Sequence, residues 1–237
     1  MKSFDVYNSK TILLIGSGRM ATHLLHWNSI LSSPNKILTW NRSEDPKILK
    51  QFLIESNLVW LAISDSAITP FFERHLKDYS GSVVHFSGAL NDPRMKCAHP
   101  LMTFPTELLD NSVYNDIFFA LTEALSLAEV LPGFTNSSFQ LSEKEKPLYH
   151  ALCVVAGNFP QLLWNEVDQK RSDLKIPDAA FNIYLQQSLN NFLKLKAKAL
   201  TGPLIRGDLL TIQKNTDALV NTKLKSIYTA FVKEFSI

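Results

Sequence analysis

The feature that most constrains the fold is a short apolar run that leads directly into a glycine turn. Residues 11–15 read TILLI, and they are followed by Gly16-Ser17-Gly18 and then by a stretch with helical apolar spacing. A run of this kind, rich in branched side chains and without polar alternation, is typical of a strand buried on both faces. The segment therefore predicts the first strand, turn and helix of a doubly wound, mainly parallel α/β sheet.

The spacing Gly16-x-Gly18-x-x-Ala21 is that of a dinucleotide-binding turn, with an ordinary strand-to-helix turn as the alternative. Gly16 would permit the tight turn, Gly18 would let the backbone approach a pyrophosphate, and Ala21 would allow close packing of helix on strand. The phosphates would lie over the N-terminus of the helix. The other residues assigned to this cofactor-binding turn are Ser17, Arg19 and Met20.

The end of the second predicted strand indicates which dinucleotide is bound. Residues 37–40 form that strand, and Asn41-Arg42-Ser43 follow it, where NAD enzymes place an acidic residue on the ribose. A guanidinium and a hydroxyl at this point can instead bind a 2′-phosphate. The sequence therefore favours NADP over NAD, although Arg42 as a solvated turn residue is the alternative.

Strands and helices continue to alternate up to residue 141. We predict further strands at 58–63, 82–86, 117–122 and 137–141, and helices at 65–77 and 123–130. Asp65 is interpreted as the N-cap of its helix, and Ser64 beside it is assigned to the cofactor site. The boundary of the α/β domain is predicted at residue 142.

A long connection, residues 85–110, follows the fourth strand and contains three prolines. Connections at the carboxyl ends of parallel strands usually carry the ligand, so the nicotinamide side of the site is placed here. Ser87 and Gly88 are its cofactor-binding candidates. His99 is a candidate general acid, since an imidazole titrates near neutrality, or else it only orders the loop by hydrogen bonding.

After residue 142 only helical spacing is found, which predicts an all-α domain over 143–237 for substrate binding or dimerisation. The predicted helices are 143–174, 177–200, 208–220 and 222–235. Pro160 predicts a kink in the first of them. The triplet Arg206-Gly207-Asp208 is that of cell-adhesion ligands, but Gly202 and Asp208 are better explained as the break between two helices and the cap of the second.

Composition excludes several other functions. The chain has 24 basic and 22 acidic residues, so no basic excess is available for nucleic acid. We see no signal peptide and no apolar stretch of membrane-spanning length. The two cysteines are isolated and suit a reducing compartment, without metal-ligand spacing. The expectation is a cytoplasmic protein with no membrane, nucleic-acid or metal partner.

Six ordered segments carry a family resemblance that covers nearly the whole chain. They are TILLIGSGRMATHL, VWLAISDSAI, VVHFSGAL, AHPLMTFP, LYHALCVVAGNFPQLLW and ALTGPLIRGD. The chain resembles Rossmann-like proteins that carry a helical C-terminal domain of unknown function and that are distantly related to pyrroline-5-carboxylate reductase and the β-hydroxyacid dehydrogenases. The resemblance implies an NADP-binding domain and a helical domain that commonly dimerises; it implies no substrate.

The residues of those relatives transfer only in part. Their lysine, which moves the proton that accompanies the hydride, lies four residues before an asparagine; Asn158 matches the asparagine, but Val154 takes the place of the lysine. His150 is a candidate catalytic residue on the same predicted helix, or a buried structural one. Arg206 is a candidate clamp for an anionic substrate group, or part of a structural ion pair.

The function predicted from the sequence is NADP(H)-dependent hydride transfer to or from a small carbonyl or imine compound, including one that bears a carboxylate. The catalytic candidates are His99, Asn158, Arg206 and His150. The alternative from another class is a non-catalytic NADP-binding sensor or scaffold, since fold alone does not decide function. A carrier that does not bind NADP is the third hypothesis.

Overall fold

A computed structural model describes residues 10–122 and 125–235. Its first part is a seven-stranded sheet in the order β2-β1-β3-β4-β5-β6-β7. All neighbouring strands are parallel except β5 and β6, which are antiparallel. The strands are β1 Thr11–Ile15, β2 Lys36–Trp40, β3 Leu58–Leu61, β4 Ser82–His85, β5 Lys96–Pro100, β6 Phe119–Thr122 and β7 Ser138–Leu141. The predicted Rossmann-like α/β fold is confirmed.

Strand β1 lies in the middle of the first three strands and is buried on both faces. Ile12 and Leu14 pack into one apolar layer with Trp60, whereas Leu13 and Ile15 belong to the layer on the other face. Helices cover both layers, so successive residues of the strand are all buried. This explains why the run TILLI lacks the polar alternation of a half-exposed strand.

Six helices belong to the sheet-containing part. They are α1 Arg19–Ser29, α2 Pro46–Glu55, α3 Asp65–Phe71 with a π-helical continuation Phe72–Leu76, α4 Asn111–Asp116, α5 Leu127–Val130 and α6 Lys146–Cys153. The predicted helix at 123–130 begins at two residues, 123 and 124, that lie outside the described part of the chain. The described portion shows α5 only from Leu127, where a capping box of Ser126 and Glu129 starts it.

Three predictions for this part need correction. Residues 85–110 are not one long loop, because they contain β5 and the segment after them begins with the unpredicted α4. His99 therefore lies on a strand, paired with Ala120 of β6. The N-cap of α3 is Ser64 rather than Asp65, which is the first residue inside the helix. The strand β5 was not predicted because Pro93 precedes it and Pro100 ends it, and prolines are typical of loops.

The chain divides into two compact units between Val154 and Val155. The division falls within a π-helical turn, Val154–Asn158, that follows α6 and precedes α7 Phe159–Asp173. Pro160 thus lies in the first turn of α7, where its missing N–H removes no helical hydrogen bond. The helix predicted at 143–174 is interrupted by this π-helical turn just before Pro160, where the sequence predicted a kink.

The second unit is helical throughout its described residues. After α7 come α8 Asp178–Leu195, a 3-10 turn Lys196–Ala199, α9 Pro203–Arg206, α10 Leu209–Ala218 and α11 Leu224–Phe235. Gly202 has a φ of 100° and precedes α9, and Asp208 accepts a hydrogen bond from the Thr211 N–H at 3.0 Å. Asp208 thus caps α10, as predicted, whereas Arg206 ends the short helix α9, which was not predicted. None of the described helices is long and apolar enough to cross a membrane.

Candidate functional site

Three strand ends meet at Gly16. Its N–H donates to the Trp40 carbonyl at the end of β2, and the Ala62 N–H after β3 donates to the Ile15 carbonyl, both at 2.9 Å. Gly16 has a φ of 123°, and a Cβ on it would lie 2.3 Å from the Ala62 carbonyl oxygen. Only glycine fits here, because both the backbone angle and the space exclude a side chain.

Gly18 has a different role from Gly16. It is the N-cap of α1 with an ordinary φ of −80°, and a Cβ added to it would meet no atom within 4 Å. No side chain caps α1 and its first turn holds no acidic residue, so the helix presents unoccupied N–H groups at its positive end. The turn therefore leaves open the space that an anionic group would fill.

The remaining residues of the turn divide between solvent and a neighbouring cleft. Ser17 and Arg19 are exposed, and the Arg19 Nη1 donates to the Phe104 carbonyl at 3.4 Å. Met20 is partly buried and lines the cleft. Ala21 is buried against the sheet, as the predicted spacing requires.

The Asn41-Arg42-Ser43 turn lies beside the glycine turn because β2 and β1 are parallel neighbours. The Asn41 Oδ1 accepts from the Ser43 N–H at 3.0 Å and from the Ser43 hydroxyl at 2.5 Å. The Arg42 side chain is exposed. An acidic residue is also present: the Asn41 amide donates to Glu44 at 2.6 Å. The sequence interpretation missed Glu44 because it is the fourth residue after the strand rather than the first.

A cleft of about 180 Å³ opens at the carboxyl ends of the parallel strands. This is the edge of an open α/β sheet where ligands bind. Its walls are mostly apolar, with three polar side chains, Asp65, Ser87 and His99. The other lining residues are Met20, Leu61, Ala62, Ile63, Phe86, Pro100, Met102 and Phe104. Ser64 is exposed and caps α3 between two of these wall residues.

Ser87 connects the cleft to a tight turn of the chain. Its hydroxyl donates to the Asp65 carboxylate at 2.6 Å and accepts from the N–H groups of Ala89 and Leu90 at 3.2 and 3.0 Å. The hydroxyl is thus fixed in position by its backbone donors, and it orients the Asp65 carboxylate. Asp65 lines the cleft, whereas the sequence favoured a role as a helix cap over a contact with the cofactor.

Gly88 lies against two imidazoles. A Cβ on Gly88 would be 2.7 Å from the His150 Nδ1 and 3.0 Å from the His99 Nε2. The other ring nitrogen of His99, Nδ1, makes a 2.7 Å hydrogen bond with the Tyr149 hydroxyl. The His150 Nδ1 is buried and has no hydrogen-bond partner among the described residues. The fold therefore brings His150, on α6, next to His99 and Gly88.

Burial is the main reason why His99 and His85 stay neutral. It lowers the pKa of His99 to about 4, with His150 and Lys146 acting in the same direction and Asp65 opposing them. It lowers the pKa of His85 to about 3, again assisted by Lys146. Lys146 is only 3% exposed, and its ammonium donates to the Leu90 carbonyl. His99 thus holds no proton to donate as an imidazolium at neutral pH.

Asn158 and Arg206 lie in the second unit. Asn158 is the N-cap residue of α7 and makes no side-chain capping bond, and Arg206 is the exposed last residue of α9. Arg206 also helps to lower the pKa of Asp208, after the larger effect of the Thr211 hydrogen bonds.

Lys146 and Tyr149 were not identified from the sequence. Lysine is rarely buried, and nothing in the sequence around Lys146 predicts that this one is. Tyr149 adjoins His150, and that pair of polar rings on one predicted helix was the available signal.

A family model matches the C-terminal part of the chain. Residues 121–235 match the model of DUF2520, a domain of unknown function. No match was found among curated proteins.

Solved structures resemble nearly the whole chain, including the residues that match DUF2520. BF3122 of Bacteroides fragilis, to which an NADP oxidoreductase activity is ascribed, is 16% identical with a TM-score of 0.77, and the match covers 97% of this chain and 99% of that one. Reductive aminase of Aspergillus terreus is 14% identical with a TM-score of 0.62, covering 97% and 95%. Pyrroline-5-carboxylate reductase of Streptococcus pyogenes is 17% identical with a TM-score of 0.60, covering 95% and 96%. At these identities the likeness shows the fold.

Substitution of the two turn glycines should lower stability by very different amounts. We expect Gly16→Ala to lower the free energy of unfolding by about 2–4 kcal/mol, since it combines backbone strain with a backbone clash. Gly18→Ala, the matched control, should cost less than about 1 kcal/mol because its Cβ enters open space. Urea unfolding of both variants measures this, and equal losses would contradict it.

The His99 ring should titrate far below an ordinary histidine. An NMR titration, assigned with His99→Gln, should give a midpoint near pH 4. Since the folded-state pKa lies below the unfolded value of 6.5, the unfolded chain binds the proton first as the pH falls. Stability should therefore decrease between pH 6.5 and 4, and His99→Gln should make that decrease shallower by about 1.4 kcal/mol per pH unit. A midpoint at or above 6.5 would show that the ring is solvated.

Proposed function

We propose that this protein is an NADPH-dependent reductase of a small carbonyl or imine compound. The observation that carries the proposal is the Gly16-to-Ala21 turn. Gly16 is required by the backbone, whereas Gly18 keeps open the space in front of an uncapped helix N-terminus. This division of roles is that of a turn that receives a pyrophosphate. The three neighbours described above are an NADP oxidoreductase, a reductase and a reductive aminase bound to NADPH, which supports the proposal.

The residues present fit such a cofactor. The pyrophosphate would lie at the N-terminus of α1, bound by its free N–H groups and near Ser17 and Arg19. A 2′-phosphate would lie at the neighbouring turn, near Arg42 and Ser43, which follow the strand paired with β1. The nicotinamide end would reach the cleft, with Ser64, Ser87 and Gly88 around it. The cofactor, when bound, supplies a hydride.

The chain itself would bind and orient the substrate. The apolar side chains of the cleft would pack against the substrate, and His99, Ser87 and Asp65 would offer it polar contacts. Asn158 and Arg206 of the second unit stay proposed catalytic residues, because an amide and a guanidinium can each bind a polar substrate group. His150 is proposed as a support of His99. The cytoplasmic location suggested by cysteine usage belongs to the same proposal.

A non-catalytic NADP sensor is the second candidate. Two observations favour it. Val154 stands in the place of the proton-donating lysine, and the His99 ring is neutral. A sensor would bind NADPH without turnover and would change its partner affinity on binding.

We also propose that two copies of the chain associate through the helices of their second units. No residue of the 18-residue helix α8 is buried, and its apolar side chains Ile183 and Tyr184 are each 68% exposed. Helix α7 likewise has no buried residue. Apolar surface on this scale is typical of an interface between subunits.

Cofactor binding is the first test of the proposal. We expect NADPH to bind more tightly than NADH, as followed by nicotinamide fluorescence and by the rise in melting temperature. Arg42→Ala should weaken NADPH binding roughly 10- to 100-fold and leave NADH unchanged, because one charged hydrogen-bonding group is removed. Lys50→Ala, which removes an exposed positive charge on α2, is the matched control.

Two further variants sharpen this test. Gly18→Ala should fold and yet bind NADPH weakly, because its methyl group fills the open space. Glu44→Gln separates the two cofactors: if Glu44 faces the ribose, the substitution weakens NADH selectively. Absence of binding by both dinucleotides would refute the proposed function.

The dimer is tested independently by light scattering. Ile183→Glu should shift the mass from two chains towards one, because a charge would be buried in the interface. Ile54→Glu is the control, since Ile54 on α2 is 87% exposed and lies outside the residues that match DUF2520. A single-chain mass for the unmodified protein would contradict the proposal.

A further inference from the structure

The charge of the cleft points to one of the two substrate classes. Among the described residues that line it, Asp65 carries the only formal charge at neutral pH. The rest of the lining is apolar, hydroxyl or imidazole. Asp65 is exposed in the cleft, so a charged group that enters can reach its carboxylate directly.

Two contacts favour a negative cleft. The Ser87 hydroxyl donates to the Asp65 carboxylate at 2.6 Å, which holds the carboxylate at the wall of the cleft. His99 does not neutralise the carboxylate, since burial, His150 and Lys146 hold its pKa at about 4. Lys146 itself is 3% exposed and is not part of the lining.

We propose that the cleft receives a cationic substrate group, an iminium, with Asp65 as the residue that selects it over a carbonyl or a carboxylate. This inference rests on the proposed function for its reaction, but the charge preference of the cleft does not depend on a cofactor. It also restricts where a substrate carboxylate could bind. Such a group would have to lie away from Asp65, because two negative charges repel each other.

The choice of an iminium also agrees with the absent lysine. A carbonyl that accepts a hydride becomes an alkoxide and needs a proton donor. An iminium carbon that accepts the hydride of NADPH needs none: a C–H bond forms, the electron pair of the C=N π bond moves to nitrogen, and a neutral amine and NADP⁺ result. Val154 in the place of the lysine and a neutral His99 are therefore compatible with turnover.

Binding of small probes to the full chain tests the selection without any turnover. The probes are pyrrolidinium as the cation, cyclopentanone as the neutral analogue and cyclopentanecarboxylate as the anion, measured by calorimetry with and without NADP⁺. We expect pyrrolidinium to bind best. Asp65→Asn, which is isosteric and can still accept from Ser87, should weaken it roughly tenfold or more. Asp65→Glu should restore part of the affinity, and Asp78→Asn, an exposed acid outside the cleft, should change nothing.

Turnover provides the second readout. With NADPH, a methyl-substituted pyrroline and its N-methyl pyrrolinium cation should be reduced faster than cyclopentanone, and the difference should shrink in Asp65→Asn.

Several outcomes would overturn the inference. They are no binding of pyrrolidinium, equal or tighter binding of cyclopentanecarboxylate, and an unchanged pyrrolidinium affinity in Asp65→Asn. A further one is weaker NADP⁺ but unchanged NADPH and pyrrolidinium binding in Asp65→Asn, which would show that the carboxylate faces the oxidised nicotinamide. Failure of the proposed function is distinguishable, because NADPH would then not bind to the unmodified protein, whatever the probes do.

Discussion

The contact between the Gly16 backbone and the Ala62 carbonyl is the constraint on which the rest of the site depends. It fixes the ends of β1, β2 and β3 relative to one another, through the bonds from Gly16 to Trp40 and from Ala62 to Ile15. Strands held at this separation place the start of α1, the Asn41 turn and the start of α3 along one edge of the sheet. A side chain at residue 16 would separate these ends, so the geometry of the edge follows from one missing Cβ.

The same edge carries features that contribute little to stability. Helix α1 begins without a side-chain cap, although a Ser, Thr, Asp or Asn at that position typically stabilises a helix by about 1 kcal/mol. Arg42 is exposed, and the buried His150 Nδ1 has no partner among the described residues. Unsatisfied donors and acceptors that gather at one edge are expected where a ligand supplies the missing partners. In the second unit, by contrast, a side chain caps helix α10, because the Asp208 carboxylate accepts from the Thr211 N–H.

The sequence predicted the sheet well where one physical rule was sufficient. Residues 11–15 could be recognised because a strand buried on both faces needs continuous apolar side chains, and the helices of the second unit because their apolar spacing is regular. It failed at β5, whose sequence KCAHP is short, polar at both ends and closed by a proline. Such a strand is held by its neighbours β4 and β6 rather than by its own propensity. His99 was consequently placed in a loop, although it lies on β5 and lines the cleft.

The electrostatics of the site could not be predicted because they depend on contacts between distant segments. Lys146 acts on His85 and His99 from a helix that begins about fifty residues later in the chain, and it does so from a buried position. A positive charge behind the imidazoles and a negative one, Asp65, in front of them give the cleft a defined sign. If the imidazoles were solvated they would titrate near neutrality and the sign would vary with pH. Burial of Lys146 therefore makes the charge of the cleft a fixed property of the fold, which is what selection between a cation and its neutral analogue requires.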